Sequence, residues 1–293
     1  MELSRRNFLK LSAPAAGALV VGKLPSARLS AASSNDVAML YDASKCVGCR
    51  ACQTACRRWH KLPEESIGFQ SLYDNPADLS ADTLTVIKAK KYGADGSERL
   101  LLCKYQCMHC TDAACAKVCP TGALKHHNLG FVGYDSDKCS GCGYCSQFCP
   151  FGVPRLSGNA LTGRQKMNKC DFCPDRVAKG QATACAAACP TGALTFGERG
   201  ELLAAGRQRA ELLRTTNHSA ALYGESQVGG LHVMYVLKEP PGVYEFPTDP
   251  KVPKAASAWQ DIIQPVGAGL MGAVILGLAG NYAIARAKIR KQQ

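Results

Sequence analysis

The amino-acid sequence predicts an α+β protein that ends in a single transmembrane helix. Seventeen of its 293 residues are cysteines, and sixteen of them form four tight groups between residues 46 and 189. Short alternating stretches, typical of strands, lie between and after these groups. A segment of 24 residues at 262–285 contains no charged side chain. A secreted disulfide scaffold is excluded, since such proteins are usually shorter than about 100 residues and space their cysteines loosely.

The first 31 residues have the pattern of a twin-arginine export signal. Residues 4–10 read Ser-Arg-Arg-Asn-Phe-Leu-Lys, a mildly apolar run follows at 11–21, and residues 26–32 offer small side chains for a cleavage site. A basic amphipathic helix is the alternative interpretation. Because the twin-arginine route carries folded proteins with their cofactors, metal–thiolate sites can be assembled in the reducing cytoplasm and exported afterwards. We therefore predict a signal peptide at 1–31.

The four cysteine groups have the spacing of iron–sulfur ligands. Two follow the run C-x2-C-x2-C-x3-C, and the other two lengthen one spacing within it. Three closely spaced thiolates can bind three corners of one cubane cluster, and the fourth cysteine then points to a second cluster. The hexapeptide Cys-Pro-Thr-Gly-Ala-Leu at 119–124 recurs at 189–194, which indicates an internal repeat. The groups are Cys46, Cys49, Cys52 and Cys56 (group 1); Cys107, Cys110, Cys115 and Cys119 (group 2); Cys139, Cys142, Cys145 and Cys149 (group 3); and Cys170, Cys173, Cys185 and Cys189 (group 4).

We predict four 4Fe–4S clusters held in two ferredoxin-like double-cluster modules. Each group lends its last cysteine to its partner, and the simplest nesting pairs group 2 with group 3 and group 1 with group 4. The inner module covers 103–155, and the outer module covers 38–60 with 165–197. Zinc is the alternative metal, but zinc sites combine C-x2-C pairs and do not need triplets followed by C-x3-C-P. The predicted ligand sets are Cys46, Cys49, Cys52 and Cys189 (set 1); Cys170, Cys173, Cys185 and Cys56 (set 2); Cys107, Cys110, Cys115 and Cys149 (set 3); and Cys139, Cys142, Cys145 and Cys119 (set 4).

One cysteine and several histidines remain outside these sets. Cys103 lies in the apolar run 100–103, and all four sites are complete without it, so we expect a buried structural thiol rather than a ligand. His109, His126 and His127 are expected beside the sites or on the surface. The sequence contains no supported nucleophile–base motif and no phosphate-binding loop, so we predict no catalytic residues.

The remaining segments of the body predict strands, one helix and an extended arm. The insertion between groups 1 and 2 predicts two strands at 83–90 and 99–105, joined by a turn at 93–97. A short strand at 194–196 and a helix at 201–214 follow group 4. The four-cluster body thus covers 38–200. The helix and arm cover 201–258, and five prolines at 238–253 indicate a packed strap rather than a free linker.

Residues 262–285 have the length and composition of a transmembrane helix. Twenty-four helical residues extend about 36 Å, and the hydrocarbon core of a bilayer is about 30 Å thick. Asp261 precedes the segment, and four basic residues follow it at 286–291. The positive-inside rule therefore places the tail, 286–293, in the cytoplasm and the body outside. Small residues at 269, 273, 277 and 281 favour packing against another membrane helix. A buried core helix is the alternative.

The order of the four groups resembles that of the iron–sulfur subunits of molybdopterin oxidoreductase and membrane hydrogenase complexes. Within that set, the segments at 73–80 (YDNPADLS), 141–151 (GCGYC…CPF) and 228–237 (VGGLHVMYVL) look most like the beta subunit of membrane-bound formate dehydrogenase. In the best-known relative, however, this subunit carries no export signal. The iron–sulfur subunit of the hydrogenase carries one, and the segments at 39–42 and 106–109 suit it as well.

The resemblance implies a non-catalytic electron-transfer subunit in the inner membrane, with its body on the periplasmic side. It implies that formate is oxidised at a molybdenum or tungsten centre in a larger subunit. Electrons would then pass through this chain to a membrane b-type cytochrome and on to quinone. This cytochrome would contact the helix at 262–285. The alternative is the equivalent subunit of a membrane-bound hydrogenase or of another molybdopterin oxidoreductase. Residues 32–293 carry a net charge of +8, and four oxidised clusters at −2 each would carry −8. Because the two charges cancel, the basic composition does not indicate a nucleic-acid partner, and we expect none.

Overall fold

A four-stranded sheet lies at the centre of the cysteine-bearing body. The structure is a computed structural model that describes residues 36–63, 76–93, 99–158 and 165–290. The predicted signal peptide at 1–31, residues 73–75 and most of the predicted turn at 93–97 lie outside the described residues. The strands within them are β1 (Val37–Asp42), β2 (Thr85–Tyr92), β3 (Arg99–Gln106), β4 (Leu124–His126), β5 (Val132–Tyr134), β6 (Arg155–Ser157), β7 (Lys166–Asn168), β8 (Leu194–Glu198), β9 (Ala221–Tyr223) and β10 (Val233–Leu237). The α-helices are α1 (Ala51–His60), α2 (Ala114–Lys117), α3 (Tyr144–Phe148), α4 (Pro174–Val177), α5 (Ala184–Ala187), α6 (Arg199–Arg214), α7 (Lys254–Ala258) and α8 (Gln264–Arg290).

The central sheet joins the two ends of the body, in the strand order β8-β1-β10-β9. β1 pairs in parallel with β10, with Met39 opposite Val233, and antiparallel with β8, with Val37 opposite Glu198. β9 pairs antiparallel with β10. β1 and β10 are almost entirely buried. Covering on both faces explains why these strands are nearly continuously apolar instead of alternating.

The two faces of this sheet have different partners. Leu40 packs in one cluster with side chains of α6, which confirms the helix predicted at 201–214. Met39, which points to the opposite face, packs with Phe172 in the main core of the body. The cysteine-bearing loops and α1 lie on that second face, because several of their thiols belong to the same core.

Three small hairpins complete the body. β2 pairs with β3 from Thr85 opposite Gln106 to Tyr92 opposite Arg99, which confirms the two predicted strands. β4 pairs with β5, and β6 pairs with β7. Each of the last two hairpins places a strand next to a cysteine group, so the sheets hold the ligand loops in position.

The repeated hexapeptide makes the same turn twice. Gly122 has φ +65° in the first copy and Gly192 has φ +64° in the second, a backbone region that glycine occupies without strain. The buried Leu124 and Leu194 then begin β4 and β8. Each copy therefore leads from the last cysteine of a group directly into a strand, and the short strand predicted at 194–196 is confirmed.

The proline-rich arm packs onto the body. Tyr244 and Phe246 are buried, and the ring of Phe246 stacks on that of Tyr223 with a centroid separation of 5.3 Å. The Tyr223 hydroxyl donates a hydrogen bond to the carbonyl oxygen of Pro247 over 2.7 Å. These contacts make the arm at 238–253 a packed strap.

The C-terminal unit is one helical run from Lys254 to Arg290. It consists of α7, a π-helical turn at Trp259–Ile263 and α8. Its most apolar window has a mean hydropathy of 1.9, and no side chain of α8 is buried. The run is long and apolar enough to cross a membrane. The predicted fold class is therefore confirmed: a mixed α and β body accompanied by one such helix.

Candidate iron–sulfur sites

The four thiols of set 4 line one cavity. Cys139 and Cys142 lie in the loop after β5, Cys145 lies on α3, and Cys119 follows α2. The loop requires glycine at Gly141, where φ is +73° and a Cβ atom would lie 2.1 Å from the carbonyl oxygen of Gln165. This close backbone approach holds the three nearby cysteines around the cavity.

The four thiols of set 1 line a second cavity of the same kind. Its lining includes Cys46, Cys49, Cys52 and, from far along the chain, Cys189. Antiparallel pairing of β1 with β8 brings these parts together, since Tyr41 lies opposite Leu194. The loop between Cys46 and Cys52 turns through Gly48 at φ +71° and Arg50 at φ 60° before α1 begins.

The thiols of set 2 come together in the interior of the body. Burial raises the pKa of Cys170 well above its ordinary value, and the nearby thiolates of Cys56 and Cys185 raise it further. Burial likewise raises the pKa of Cys173 to about 12, with Cys185 and Cys56 among the charges that contribute. All four members are buried.

The thiols of set 3 form a similar group. Burial raises the pKa of Cys110, and the thiolates of Cys107, Cys115 and Cys149 raise it further. Cys107 and Cys115 are buried, whereas Cys110 and Cys149 are partly exposed. The thiols of sets 1 and 4 thus line two cavities, and those of sets 2 and 3 lie close enough to act on one another. Each set is drawn from two cysteine groups of the sequence.

These groups of thiols suit a cationic metal core. Burial is the largest influence on Cys52 and on Cys145, and it raises the pKa of each thiol to about 12. Several thiolates side by side in a buried site are unfavourable unless a positive partner compensates them. Four sulfur donors around each centre favour a soft metal such as iron in an iron–sulfur cluster, or zinc.

The four sets follow one another through the body. Cys52 of set 1 and Cys185 of set 2 are close enough for the Cys185 thiolate to raise the pKa of Cys52. In the same way Cys107 of set 3 acts on Cys170 of set 2, and Cys145 of set 4 acts on Cys115 of set 3. Each of these three pairs of thiols also packs within a single hydrophobic cluster, which gives the order set 1, set 2, set 3, set 4. This order was not predictable from the spacing of the cysteines.

A histidine–aspartate pair beside set 2 was missed by the sequence analysis. His60 Nε2 lies 2.9 Å from Asp171 Oδ1, and His60 Nδ1 lies 3.6 Å from Cys56 Sγ. Asp171 Oδ1 also accepts a hydrogen bond of 2.8 Å from the backbone N–H of Cys173. Burial lowers the pKa of His60, but its bonds to Asp171 and Cys56 outweigh this and raise it to about 11. The only sequence signal is the spacing of four residues between Cys56 and His60 on α1.

The residues without a predicted ligand role lie outside the four sets of thiols. Cys103 is buried on β3, and its Sγ lies 3.8 Å from the carbonyl oxygen of Lys104. His109 is buried and accepts a hydrogen bond of 3.2 Å from the backbone N–H of Val132. His126 is exposed, and the half-buried His127 stacks on Phe131 at 4.4 Å between ring centroids.

Comparison with known proteins points to the same chemistry. Residues 99–199 match the family described as 4Fe-4S dicluster domain. The chain is 40% identical over 252 residues to the iron–sulfur subunit of the nitrate-inducible formate dehydrogenase of Escherichia coli, covering 84% of each protein. It is 39% identical over 254 residues to the formate dehydrogenase iron–sulfur subunit of Haemophilus influenzae, covering 84% of this chain and 80% of that one.

A further relative comes from a hydrogenase operon. The hydrogenase-2 operon protein HybA of Escherichia coli O157:H7 is 35% identical over an alignment of 273 residues that covers 81% of this chain and 82% of the relative. Homology, the dicluster domain and the gathered thiols all indicate electron transfer through 4Fe–4S centres. The resemblance noted in the sequence is confirmed, and the chain belongs to the family of 4Fe–4S iron–sulfur subunits that includes those of formate dehydrogenase.

Proposed function

We propose that this chain is the electron-transfer subunit of a membrane-bound formate dehydrogenase and that its four sets of thiols hold four 4Fe–4S clusters. The observation that carries the proposal is the line of four thiol groups across one body, with partly exposed sets at both ends. Zinc in four such sites would make a structural protein, but the chain's relatives are iron–sulfur subunits.

The residues of the chain would bind, space and insulate the clusters. A body of about 220 residues has a radius of gyration near 17 Å, so an electron that crosses it needs intermediate stations. When bound, each cluster would supply a one-electron couple whose potential depends on burial and on hydrogen bonds to sulfur. All four thiols of set 2 and two of set 3 are buried in the middle of the path, while Cys49 and Cys142 lie exposed at its ends.

The two ends of the path suit two partner subunits. We infer that one end receives electrons from a catalytic subunit that oxidises formate at molybdenum or tungsten, and that the other delivers them to a membrane b-type cytochrome and quinone. The names of the relatives support the first partner, and the apolar run at Lys254–Arg290 supports the second. The body would lie on the periplasmic side, with the basic tail in the cytoplasm.

Donor-dependent quinone reduction tests the function. The tagged complex would be extracted anaerobically in mild detergent and supplied separately with formate and with hydrogen, while iron is measured per chain. We expect formate to drive quinone reduction and about sixteen irons per chain, four for each cubane. About eight irons would contradict the four-cluster proposal, whatever the donor.

A hydrogenase is the second candidate. The similarity to HybA and the export signal predicted at 1–31 favour it. Reduction of quinone by hydrogen but not by formate would establish this alternative, with the sixteen proposed ligands unchanged.

Two variants test the proposed location. Arg5→Lys combined with Arg6→Lys should leave the protein in the cytoplasm, measured by protease accessibility from the periplasmic side.

Removal of residues 262–293 should release a body that keeps its iron. Loss of the iron on truncation would instead show that the helix is part of the fold.

A further inference from the structure

Two lysines lie inside the body among the sets of thiols. Lys104 on β3 has 0% of its surface exposed, and Lys169 has 2% exposed. Lysine is almost never fully buried unless an opposite charge compensates it. Within the described ranges, neither ammonium group has a carboxylate oxygen within 4.0 Å. Neither charge is therefore balanced by a direct ion pair with a described residue, although the carboxylate of Asp171 acts on Lys169 from farther away.

Lys104 lies next to sets 1 and 2. Its Nζ donates hydrogen bonds to Thr85 Oγ1, at 2.5 Å, and to Gln106 Oε1. Both acceptors are neutral, so these bonds fix the position of the ammonium group without cancelling its charge. Burial lowers the pKa of Lys104, but the thiolates of Cys185 and Cys52 outweigh burial and raise it. These two thiols belong to set 2 and set 1.

A line of contacts connects the hydrogen-bond partner of Lys104 with set 2. Gln106 Nε2 lies 3.8 Å from Met39 Sδ, and Met39 Sδ lies 4.0 Å from Cys185 Sγ. The carboxamide and the thioether are uncharged. The ammonium group of Lys104 is thus held near the boundary between the first two sets, with neutral side chains between it and the sulfur atoms.

Lys169 has the equivalent position between sets 2 and 3. Its Nζ donates hydrogen bonds of 2.9 Å to the carbonyl oxygens of Val132 and Cys170. Cys170 is a member of set 2, and Val132 packs in one hydrophobic cluster with Cys115 of set 3. Two neutral backbone carbonyls thus fix this ammonium group, as Thr85 and Gln106 fix the other.

We propose that Lys104 and Lys169 are fixed positive charges that raise the reduction potentials of the clusters they separate. Lys104 would act on the clusters of sets 1 and 2, and Lys169 on those of sets 2 and 3. A cluster bound by four thiolates goes from a charge of −2 to −3 when it accepts one electron from its neighbour; no bond breaks and no proton moves. Burial disfavours the more negative form, and a buried cation offsets this. This inference rests on the proposed function, since it uses the proposed ligand sets.

The test is a redox titration of the intact complex, followed by electron paramagnetic resonance, with dithionite as reductant. Lys104→Met and Lys169→Met remove the charge and keep a side chain of similar length. In each variant we expect two of the four one-electron transitions to move to lower potential, one of them common to both variants. A tenfold fall in the equilibrium constant for reduction, equal to about 59 mV, is the expected minimum for each. Dithionite makes the readout independent of formate.

The controls separate charge from structure. Lys104→Arg and Lys169→Arg keep the charge and should leave all four potentials near those of the wild type. Lys125→Met removes an exposed charge, which water screens, and should leave them unchanged.

Three results would overturn the inference. The first is unchanged potentials in the two methionine variants with their iron intact, and the second is an equal shift of all four transitions. The third is loss of iron in the methionine variants and in Lys104→Gln and Lys169→Gln, while the arginine variants keep their iron. The positive charge would then be needed for assembly of the clusters and not for setting their potentials. Failure of the four-cluster proposal is distinguishable from all three, because the wild type would itself show fewer than four transitions. A change of donor from formate to hydrogen would leave this titration unaffected, because dithionite is the reductant.

Discussion

Sets 2 and 3 in the middle of the body, here the inner sets, differ from sets 1 and 4 at its ends, the outer sets, in how the negative charge of their thiolates is stabilised. Burial acts to raise the pKa of Cys139 in set 4 and of Cys189 in set 1, but backbone N–H groups outweigh it and lower both values. The pKa values of Cys170 and Cys173 in set 2 are instead raised by burial. Each outer set thus contains one thiolate that backbone hydrogen bonds stabilise, although burial still raises the pKa of its buried member, Cys52 or Cys145. Set 2 is buried throughout and has two buried lysines beside it.

Loss of one ligand is the strongest test of this difference. Cys142→Ser, in an outer set, is expected to leave about twelve of about sixteen irons per chain, because only one cubane is lost. Cys170→Ser should leave fewer than about eight, because an incomplete inner set leaves charges buried without compensation. Both variants should lose formate-driven quinone reduction. Iron per chain and cluster absorption measure the effect.

Cys103→Ala is the matched control for both substitutions. Cys103 is as buried as the inner ligands but lies outside the four sets, so the iron content should stay near that of the wild type. Equal iron loss in Cys142→Ser and Cys170→Ser would contradict the distinction between inner and outer sets.

The local part of this arrangement could be predicted from the sequence. The runs of cysteine with two intervening residues, the two strands of the insertion and the apolar C-terminal segment all depend on short-range spacing and periodicity. The proximity of Cys46 to Cys189 has no such short-range signal, because it depends on the pairing of β1 with β8, which are far apart in the sequence. The nesting of groups 1 and 4 anticipated that proximity without identifying the strands that produce it.

The side chains that surround the inner sets could not be predicted. Lys104 follows the apolar run 100–103 on β3, and only the fold shows that it is buried beside thiols. His60 and Asp171 are separated by 111 residues and meet because α1 packs near the loop of group 4. Long-range contacts of this kind leave no periodic signal in a single sequence.

The two outer sets differ in how tightly the backbone packs at a glycine in the cysteine loop. At Gly141 in set 4 an added Cβ would lie 2.1 Å from a backbone carbonyl oxygen, whereas at Gly48 in set 1 it would lie 3.1 Å from a methyl group of Leu102. Gly141→Ala should destabilise by about 3 kcal/mol or more, because clash adds to left-handed strain. Gly48→Ala should cost about 1–2 kcal/mol, from strain alone. Thermal unfolding of the complex ranks them, and the reverse order would be contrary evidence.

The histidine–aspartate pair tests whether the inner sets need a charged neighbour. His60→Gln removes a charged hydrogen bond and should cost about 1.5–3 kcal/mol. Because the pKa of His60 is raised from 6.5 to about 11, the stabilisation is complete below pH 6.5 and is lost as pH rises toward 11. Unfolding temperatures of wild type and variant should therefore differ most at pH 6 and less at pH 9. The exposed His218→Gln should show no such difference, and a gap that widens with pH would refute the assignment.

The smallest expected effect comes from two threonine hydroxyls at equivalent distances from thiols. Thr183 Oγ1 lies 3.5 Å from Cys185 Sγ in the buried set 2, and Thr191 Oγ1 lies 3.7 Å from Cys189 Sγ in the exposed set 1. Threonine to valine removes each hydroxyl with little change of shape, and a hydrogen bond to charged sulfur stabilises the more negative, reduced form. In the exposed set, water can replace the lost donor.

Thr183→Val should therefore lower the reduction potential of its cluster more than Thr191→Val does. A hydrogen bond contributes about 1 kcal/mol net, and this energy is the upper limit for the shift of reduction potential in Thr183→Val. The same anaerobic redox titration measures both variants, with iron content as the check that the clusters are retained. Equal shifts at the two sites would mean that burial does not distinguish the inner sets from the outer ones, and the contrast would then rest on the lysines alone.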